Sequence, residues 1–168
     1  MIYLDSAAVV KLVRREEHSA DLVEWLNARP GVPLVSSAVV ELEVVRALRR
    51  SALQALTGAG GAIGRLFRVE VDATVRATAA GFTDPTLRCL DAIHLATAKV
   101  LVDESGTELT AFVTYDPRQL AHAQEAGLPT VCPGRDRNAW LEQPAGDALS
   151  PRPGYEWEHT TGWHLPPE

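Results

Sequence analysis

The sequence is poor in cysteine and has no long apolar run, and both absences narrow the class of protein. Cys89 and Cys132 are its only two cysteines, and their separation fits neither a zinc site nor a disulfide framework. We therefore expect both thiols to be reduced and buried. No basic segment followed by a long apolar run opens the chain, and no stretch approaches the roughly 18 apolar residues of a membrane span. These absences predict a cytoplasmic protein without a membrane segment.

Positive charge is also scarce, and the chain has a formal net charge of −6 at pH 7. This balance argues against a broad, non-specific affinity for nucleic acid, which depends on counterion release by lysine and arginine. It still allows a local basic patch. The glycine-rich run at residues 58–61 is not followed by the Gly-Lys-Ser/Thr of a phosphate loop, so we interpret it as a flexible turn.

Strand-like and helical runs alternate along residues 1–134. The predicted strands cover residues 2–4, 32–35, 67–71, 110–115 and 128–132. The predicted helices cover residues 6–15, 19–28, 37–56, 72–80, 85–102 and 117–126. Ser36-Ser37, Asp84 and Asp116 are the expected N-caps of three of these helices. The alternation predicts an α/β fold in three layers, with a central parallel sheet flanked by helices.

The composition changes after Pro133-Gly134. Residues 135–168 hold five of the eleven prolines and three of the four tryptophans, with little periodicity. We therefore predict one α/β domain at residues 1–134 and an irregular C-terminal extension at residues 135–168. The extension is expected to be partly disordered or to wrap the domain.

Asp91 stands in the middle of an apolar helical run, residues 87–98. A buried carboxylate without a partner is costly, so Asp91 needs hydrogen bonds, a cation or a metal ion. Asp5 and Asp116 each end a predicted strand and begin a helix. Because ligands of an open α/β sheet bind outside the carboxyl ends of its strands, these two side chains are candidates for the same site. Helix capping is the plain alternative for each.

The helix after the second strand adds Glu41 and Glu43, which lie on different helix faces, so only one should point inward. Periodicity alone leaves the choice open. If one glutamate joins Asp5, Asp91 and Asp116, the four carboxylates repel one another unless cations are present. An all-oxygen ligand set suits Mg²⁺ or Mn²⁺, which bind phosphates and orient an attacking water.

Five segments together resemble the PIN-domain ribonucleases, and within them the VapC toxins of bacterial VapBC toxin–antitoxin pairs. They are Tyr3-Leu4-Asp5-Ser6, Ser37-x5-Glu43, Leu90-Asp91-Ala92-Ile93-His94-Leu95-Ala96-Thr97-Ala98, Val113-Thr114-Tyr115-Asp116 and Pro133-Gly134. The resemblance selects Glu43 over Glu41. One departure is Ala7, where the family commonly has a hydroxyl residue.

The resemblance implies a toxin that is a Mg²⁺- or Mn²⁺-dependent endoribonuclease. Its implied substrate is a cellular RNA, either tRNA or rRNA. The implied catalytic and metal-binding residues are Asp5, Glu43, Asp91 and Asp116. Thr114 and Ser6 are expected to support them, although both hydroxyls could instead serve in capping or turns. A VapB-like antitoxin is the implied inhibitor, and a homodimer is the implied assembly.

Several basic side chains are candidates for contacts with RNA phosphates, although a solvated surface position is the plain alternative for each. These are Lys11, Arg14, Arg15, Arg46, Arg49 and Arg50. Arg46 and Arg50 share a helix face with Glu43. His94 follows Asp91 by three residues and could reach the edge of the site, or it could be a structural histidine.

Other functions of an α/β fold with acids at strand ends remain to be weighed. A non-catalytic PIN-fold module that binds RNA or protein is the main alternative, because of Ala7 and the long extension. A receiver-like phosphoacceptor is disfavoured because no lysine follows Lys99. A phosphatase of the Asp-x-Asp type is disfavoured because Asp5-Ser6-Ala7 lacks the second aspartate.

Overall fold

A central parallel sheet organises the chain. The computed structural model describes residues 1–135 and 162–164, and in this part five strands pair in the order β3-β2-β1-β4-β5. The strands are β1 (Ile2–Leu4), β2 (Leu34–Ser37), β3 (Phe67–Val69), β4 (Ala111–Val113) and β5 (Thr130–Val131). All neighbouring pairs are parallel, and Tyr3 on β1 lies between Val35 on β2 and Phe112 on β4.

Helices cover both faces of this sheet, which confirms the predicted α/β/α architecture. They are α1 (Ser6–Val13), α2 (Ser19–Asn27), α3 (Val40–Ser51), α4 (Leu56–Gly64), α5 (Ala73–Ala80), α6 (Cys89–Ser105) and α7 (Pro117–Glu125). Alternate residues of a strand point to opposite faces. Ile2 and Leu4 accordingly pack with α1 to α4, whereas Tyr3 packs with α6 and α7.

The order of the strands determines where the acids lie. The chain adds β2 and β3 on one side of β1 and then crosses to the other side with β4 and β5. The gap between β1 and β4 is therefore the switch point, outside which an open α/β sheet binds its ligands. Asp5 follows β1 directly, and Thr114 to Asp116 follow β4.

The flexible turn expected at residues 58–61 is wrong, because these residues lie inside α4. Ala59, Ala62 and Ile63 form the buried side of this helix, at helical spacing. Gly58 faces α1, where a Cβ would make an ordinary van der Waals contact with Val13 at 3.4 Å. Tertiary packing thus outweighs the low helix propensity of glycine.

Two expected N-caps are also wrong. Ser36 and Ser37 belong to β2, where the Ser36 hydroxyl donates to the Leu4 carbonyl at 2.7 Å, and α3 begins only at Val40. Asp84 does not begin α6, which starts at Cys89. The Asp84 carboxylate instead accepts a hydrogen bond from the Thr86 amide at 2.8 Å. The expected caps of α1 and α7 by Asp5 and Asp116 are present.

A short piece of the C-terminal extension packs on the domain. The Trp163 side chain is 8% exposed and joins the core on the α1–α4 face. Most of the extension predicted at residues 135–168 lies outside the described residues, namely 136–161 and 165–168. Within the described part, no helix is both long and apolar enough to span a bilayer.

Candidate active site

Four acidic side chains from four elements line one cavity of about 490 Å³ at the carboxyl edge of the sheet. Asp5 follows β1, Glu43 lies on α3, Asp91 lies on α6 and Asp116 follows β4. The four acids named from the sequence therefore meet in space. Glu41 does not join them, since it is exposed and forms an ion pair with Arg68 at 2.6 Å.

Asp5 combines the two roles that the sequence left open. One carboxylate oxygen accepts a hydrogen bond from the Ala8 amide at 2.8 Å, and this bond caps α1. The other oxygen accepts a hydrogen bond from the Thr114 hydroxyl. The Thr114 hydroxyl oxygen in turn accepts a hydrogen bond from the Asp116 amide at 3.1 Å. Thr114 is fully buried, and it connects the backbone at Asp116 to the carboxylate of Asp5.

Asp91, unlike Asp5, has no hydrogen-bond donor at its carboxylate within the described residues. It is half-buried in the cavity wall, and its carboxylate makes no hydrogen bond or ion pair within the described residues. Burial raises its pKa above the usual value, and the negative charge of Asp116 raises it further. Asp91 is thus a carboxylate held near other acids without a partner of its own.

The pKa of Asp5 is raised to about 6, mainly because the side chain is removed from water. The nearby charge of Glu43 adds to this rise, whereas His94, Thr114 and the Ala8 amide oppose it. Two of the four acids therefore resist ionisation. A divalent cation in the cavity would remove this resistance by favouring the charged forms.

His94 forms part of the cavity wall and contacts two polar side chains. Its Nε2 lies 2.7 Å from Glu43 Oε2, and its Nδ1 lies 2.8 Å from the Tyr3 hydroxyl. The three-residue spacing from Asp91 placed His94 at the edge of the site. The pairing with Glu43 had no signal in the sequence because it joins two helices that are far apart along the chain.

The basic side chains named from the sequence divide into two groups. Arg50 lines the cavity with the four acids. Lys11 and Arg14 line an adjoining depression of about 530 Å³ that also touches Ser6 and Asp116. Arg15, Arg46 and Arg49 line neither cavity.

Two arginines that the sequence reasoning missed also lie at these cavities. Arg88, just before α6, borders the acids, and Arg135 borders the adjoining depression. Cys89 also lines the acid cavity and is exposed, so the expected burial is correct only for Cys132. Cys89 is exposed because α6 begins there, at the cavity mouth, rather than at Pro85.

The donor set fits a hard divalent cation, since four carboxylates and Ser6 line one cavity and the Thr114 hydroxyl binds Asp5 from behind. In residues 1–135 and 162–164, however, no three acidic, histidine or cysteine side chains are grouped closely enough to hold an ion as they stand. Asp5 is bound to Thr114 and Ala8, and Glu43 is bound to His94. Binding of an ion at this cavity would therefore require rotation of carboxylates, for which Asp91 is free.

Comparisons with known proteins agree with this geometry. The family model of the PIN domain matches residues 2–125. Ribonuclease VapC35 of Mycobacterium tuberculosis is 44% identical over 137 residues, which cover 82% of this chain and all of that protein. Ribonuclease VapC46 of the same organism is 41% identical over 132 residues, which cover 79% of this chain and 97% of that protein.

A solved structure has the same fold. Mycobacterium tuberculosis VapC20, described as a toxin that cleaves the sarcin-ricin loop, matches with a TM-score of 0.59 at 18% identity. The match covers 79% of this chain and 100% of that one. This chain belongs to the PIN-domain family, and its identity to VapC35 and VapC46 places it among the VapC-type ribonucleases.

Proposed function

We propose that the cavity with the four acids is the catalytic centre of a Mg²⁺- or Mn²⁺-dependent endoribonuclease. In this proposal Asp5, Glu43, Asp91 and Asp116 hold the cation, and water is the nucleophile that hydrolyses a phosphodiester bond. The observation that carries it is the convergence of four carboxylates in one cavity, with the Asp91 side chain left without a partner.

Each residue has a separate role in this mechanism. The bound cation supplies positive charge for the scissile phosphate and favours ionisation of the attacking water. Asp91 is the mobile ligand, because its carboxylate makes no hydrogen bond within the described residues, whereas Asp116 is held by the Arg118 amide at 2.8 Å. Thr114 keeps Asp5 in place through its hydroxyl, and Ser6 adds a polar group to the wall.

The RNA backbone is proposed to approach from the depression beside Lys11 and to reach the acids past Arg50 and Arg88. Arginine binds phosphate oxygens well because its guanidinium offers several donors. Arg14 and Arg135 would contact phosphates further along the strand. Lys11 is less available, since its ammonium group donates to the Glu17 carbonyl at 2.7 Å and lies over the Tyr115 ring. Arg15 and Arg46 are weaker candidates because neither lines a cavity.

The biological setting follows from the relatives. We propose a type II toxin that cuts structured cellular RNA, either tRNA or rRNA, in the cytoplasm. A VapB-like antitoxin would block it by placing a basic side chain among the acids, where burial raises the pKa of Asp5 and of Asp91 and a nearby cation would favour their charged forms. A homodimer is the proposed assembly.

The first experiment tests the acids and the metal together. Purified protein is incubated with total cellular RNA in Mn²⁺ or in EDTA, and the new RNA ends are sequenced. Asp91→Asn should lower the cleavage rate by more than the roughly 100-fold upper range of second-shell changes, because it removes a metal ligand itself. Glu43→Gln and Glu41→Gln form a matched pair on one helix, and only the first should lose activity.

Two results would contradict the proposal. Cleavage that persists in EDTA would exclude a metal-dependent enzyme, and full activity of Asp91→Asn would exclude the proposed centre. Circular dichroism of each variant excludes loss of folding as the cause.

A non-catalytic binding module is the second candidate, and it is favoured by the absence of a preformed three-ligand group in the described residues. Calorimetry with Mn²⁺ separates the two. A saturable heat of Mn²⁺ binding that disappears in Asp91→Asn supports the enzyme. The absence of a saturable heat of binding in the wild type supports the binding module.

A further inference from the structure

A chain of hydrogen bonds reaches Glu43 from the middle of the sheet. The Ser37 amide on β2 donates to the Tyr3 hydroxyl at 3.0 Å, and this hydroxyl contacts His94 Nδ1 at 2.8 Å. The opposite ring nitrogen, Nε2, contacts Glu43 Oε2 at 2.7 Å. We propose that His94 is a positioning residue that fixes the Glu43 carboxylate in the cavity, with Tyr3 and Ser37 holding the imidazole behind it.

The direction of each hydrogen bond follows from the atoms involved. An ionised carboxylate can only accept, so the 2.7 Å contact with Glu43 requires a proton on His94 Nε2. The Ser37 amide can only donate, so the Tyr3 oxygen accepts it. Burial raises the pKa of Tyr3 well above its usual value, so the hydroxyl keeps its proton and can donate it to Nδ1. These directions place a proton on Nε2 and leave Nδ1 as the acceptor.

One neighbour competes for the Tyr3 proton. The Thr97 hydroxyl also lies beside Tyr3, although it donates its own proton to the Ile93 carbonyl at 2.7 Å. If Tyr3 donates to Thr97, Nδ1 loses its donor, and the tautomer of His94 is no longer selected by the sheet. The tautomer of His94 therefore tests this series of hydrogen bonds.

The imidazole and the phenol are well suited to hold a side chain still. Tyr3 is fully buried and His94 is 2% exposed. The Tyr3 ring stacks on Phe112 with a centroid distance of 4.9 Å and meets the His94 ring edge-on at 5.8 Å. The Tyr3 ring is thus packed between a side chain of β4 and one of α6.

Glu43 depends on such an anchor more than the other acids do. Asp5 is fixed by two bonds near its own backbone, whereas Glu43 has a longer side chain on α3. Within the described residues, its only side-chain partner is His94, and Oε1 makes no hydrogen bond. The contact therefore holds one oxygen and leaves the other for a ligand. The α6 helix in this way supplies Asp91 and also secures the acid of α3.

This inference rests on the proposed metal-dependent function, and its experiment separates the two. Full-length protein is titrated with Mn²⁺ by calorimetry, and kcat and KM for RNA cleavage are measured in parallel. His94→Asn shortens the side chain and breaks the bond to Glu43, so Mn²⁺ affinity and kcat should fall roughly 10–100-fold, the range known for second-shell ligands. KM for RNA should stay within about twofold, because no phosphate contact is lost.

Conservative variants distinguish positioning from simple structural support. His94→Gln keeps an N–H group near the place of Nε2, so it should recover most of the Mn²⁺ affinity that His94→Asn loses. Tyr3→Phe keeps the stacked ring and removes only the hydroxyl. It should lower Mn²⁺ affinity by a smaller factor than His94→Asn. In the wild type, ¹⁵N spectra of the imidazole should show a single Nε2–H tautomer, and in Tyr3→Phe a weaker preference for it, because Glu43 alone then selects this tautomer.

The possible outcomes are distinct. If Glu43→Gln leaves Mn²⁺ binding and cleavage unchanged, the proposed function fails at Glu43. If Glu43→Gln abolishes them but His94→Asn does not weaken binding, only the positioning role is overturned. It is also overturned if His94→Gln loses as much affinity as His94→Asn, or if the wild-type spectrum shows Nδ1–H. Should His94→Asn fail to fold, His94→Gln, Tyr3→Phe and the wild-type spectrum decide the question.

Discussion

Asp5 and Asp91 line the same cavity, but the fold treats their carboxylates differently. Both Asp5 oxygens accept hydrogen bonds, one from Thr114 just after β4 and one from Ala8 in α1, whereas the Asp91 oxygens accept none within the described residues. Asp5 is therefore fixed before any ligand arrives, and Asp91 can move toward one. An acid that caps a helix can thus still serve a cavity, because each carboxylate has several acceptor positions.

The raised pKa of Asp5 predicts an unusual dependence of stability on pH. Its pKa is about 6 in the folded protein, above the unfolded value of 3.8. Ionisation therefore costs stability, which is fully present below about pH 4 and is lost as the pH rises through 6. Asp5→Asn cannot ionise, so without metal it should be more stable than the wild type at about pH 7.5, by up to about 3 kcal/mol. Urea unfolding in EDTA measures this difference.

The same comparison at about pH 4 provides the control, because both proteins are then neutral at residue 5 and the difference should nearly vanish. Added Mn²⁺ should stabilise the wild type and have little effect on the variant. A variant that is less stable than the wild type at both pH values would show that the hydrogen bonds of Asp5 outweigh its charge.

The sequence predicted the convergence of the acids well and their contacts poorly. Asp5 and Asp116 could be placed together because parallel strands share a carboxyl edge. The choice between Glu41 and Glu43 needed the family resemblance, since both lie in the same turn of α3. Partners such as His94 and Glu43 depend on how α6 packs against the rest of the molecule, which local patterns do not encode.

At the level of secondary-structure elements, the same capping signal in the sequence begins one helix and fails to begin another. The Asp116-Pro117 signal begins α7 as expected, with the Asp116 carboxylate accepting the Arg118 amide at 2.8 Å. The same signal at Asp84-Pro85 fails to begin α6. The Asp84 carboxylate instead accepts the Thr86 amide at 2.8 Å and also lies 2.9 Å from His122 on α7. Asp84 therefore caps the turn before α6 and not the helix itself.

The glycines of α4 test whether this segment is a helix or the turn expected from sequence. A Cβ at Gly60 or Gly61 would meet no atom within 4 Å, and neither residue has a positive φ. Alanine restricts the unfolded chain without strain in a helix. Gly60→Ala and Gly61→Ala should therefore each raise the free energy of unfolding by roughly 0.5–1 kcal/mol, as measured with urea.

Gly134 is the matched control for these glycines, because it has φ +91° and a Cβ there would lie 2.5 Å from Asp21 Oδ2. Gly134→Ala should destabilise the protein. If Gly60→Ala and Gly61→Ala lower stability as well, residues 58–61 need the conformational freedom of a turn.

At the level of the whole molecule, the C-terminal extension distinguishes this chain from its relatives. The match to VapC35 takes in all of that protein but only 82% of this chain. The docked residue Trp163 lies near the ends of α2 and α4, which lead into β2 and β3. This is the amino-end side of the sheet, opposite the edge that carries the acids. The docked residue Trp163 should therefore affect stability and leave the chemistry unchanged.

Trp163 makes this prediction specific. Its backbone exchanges two hydrogen bonds with the Asn27 side chain, at 2.7 and 2.8 Å, and the Arg65 guanidinium lies 3.7 Å from the ring centroid. Trp163→Ala removes a largely buried indole, so the free energy of unfolding should fall by about 2–4 kcal/mol, near the lower end for core aromatics. The kcat for RNA cleavage should not change at temperatures where the variant is folded.

A double-mutant cycle with Arg65→Gln identifies the contact responsible. Arg65→Gln alone should cost about 1 kcal/mol, the value of a partly desolvated cation–π pair, and should cost less in the Trp163→Ala background, where only its other contacts, such as that with the Gly162 carbonyl, remain. Additive losses would mean that Arg65 and Trp163 stabilise the domain separately. A fall in kcat in a fully folded Trp163→Ala protein would instead connect the extension to the acids, against their placement on opposite sides of the sheet.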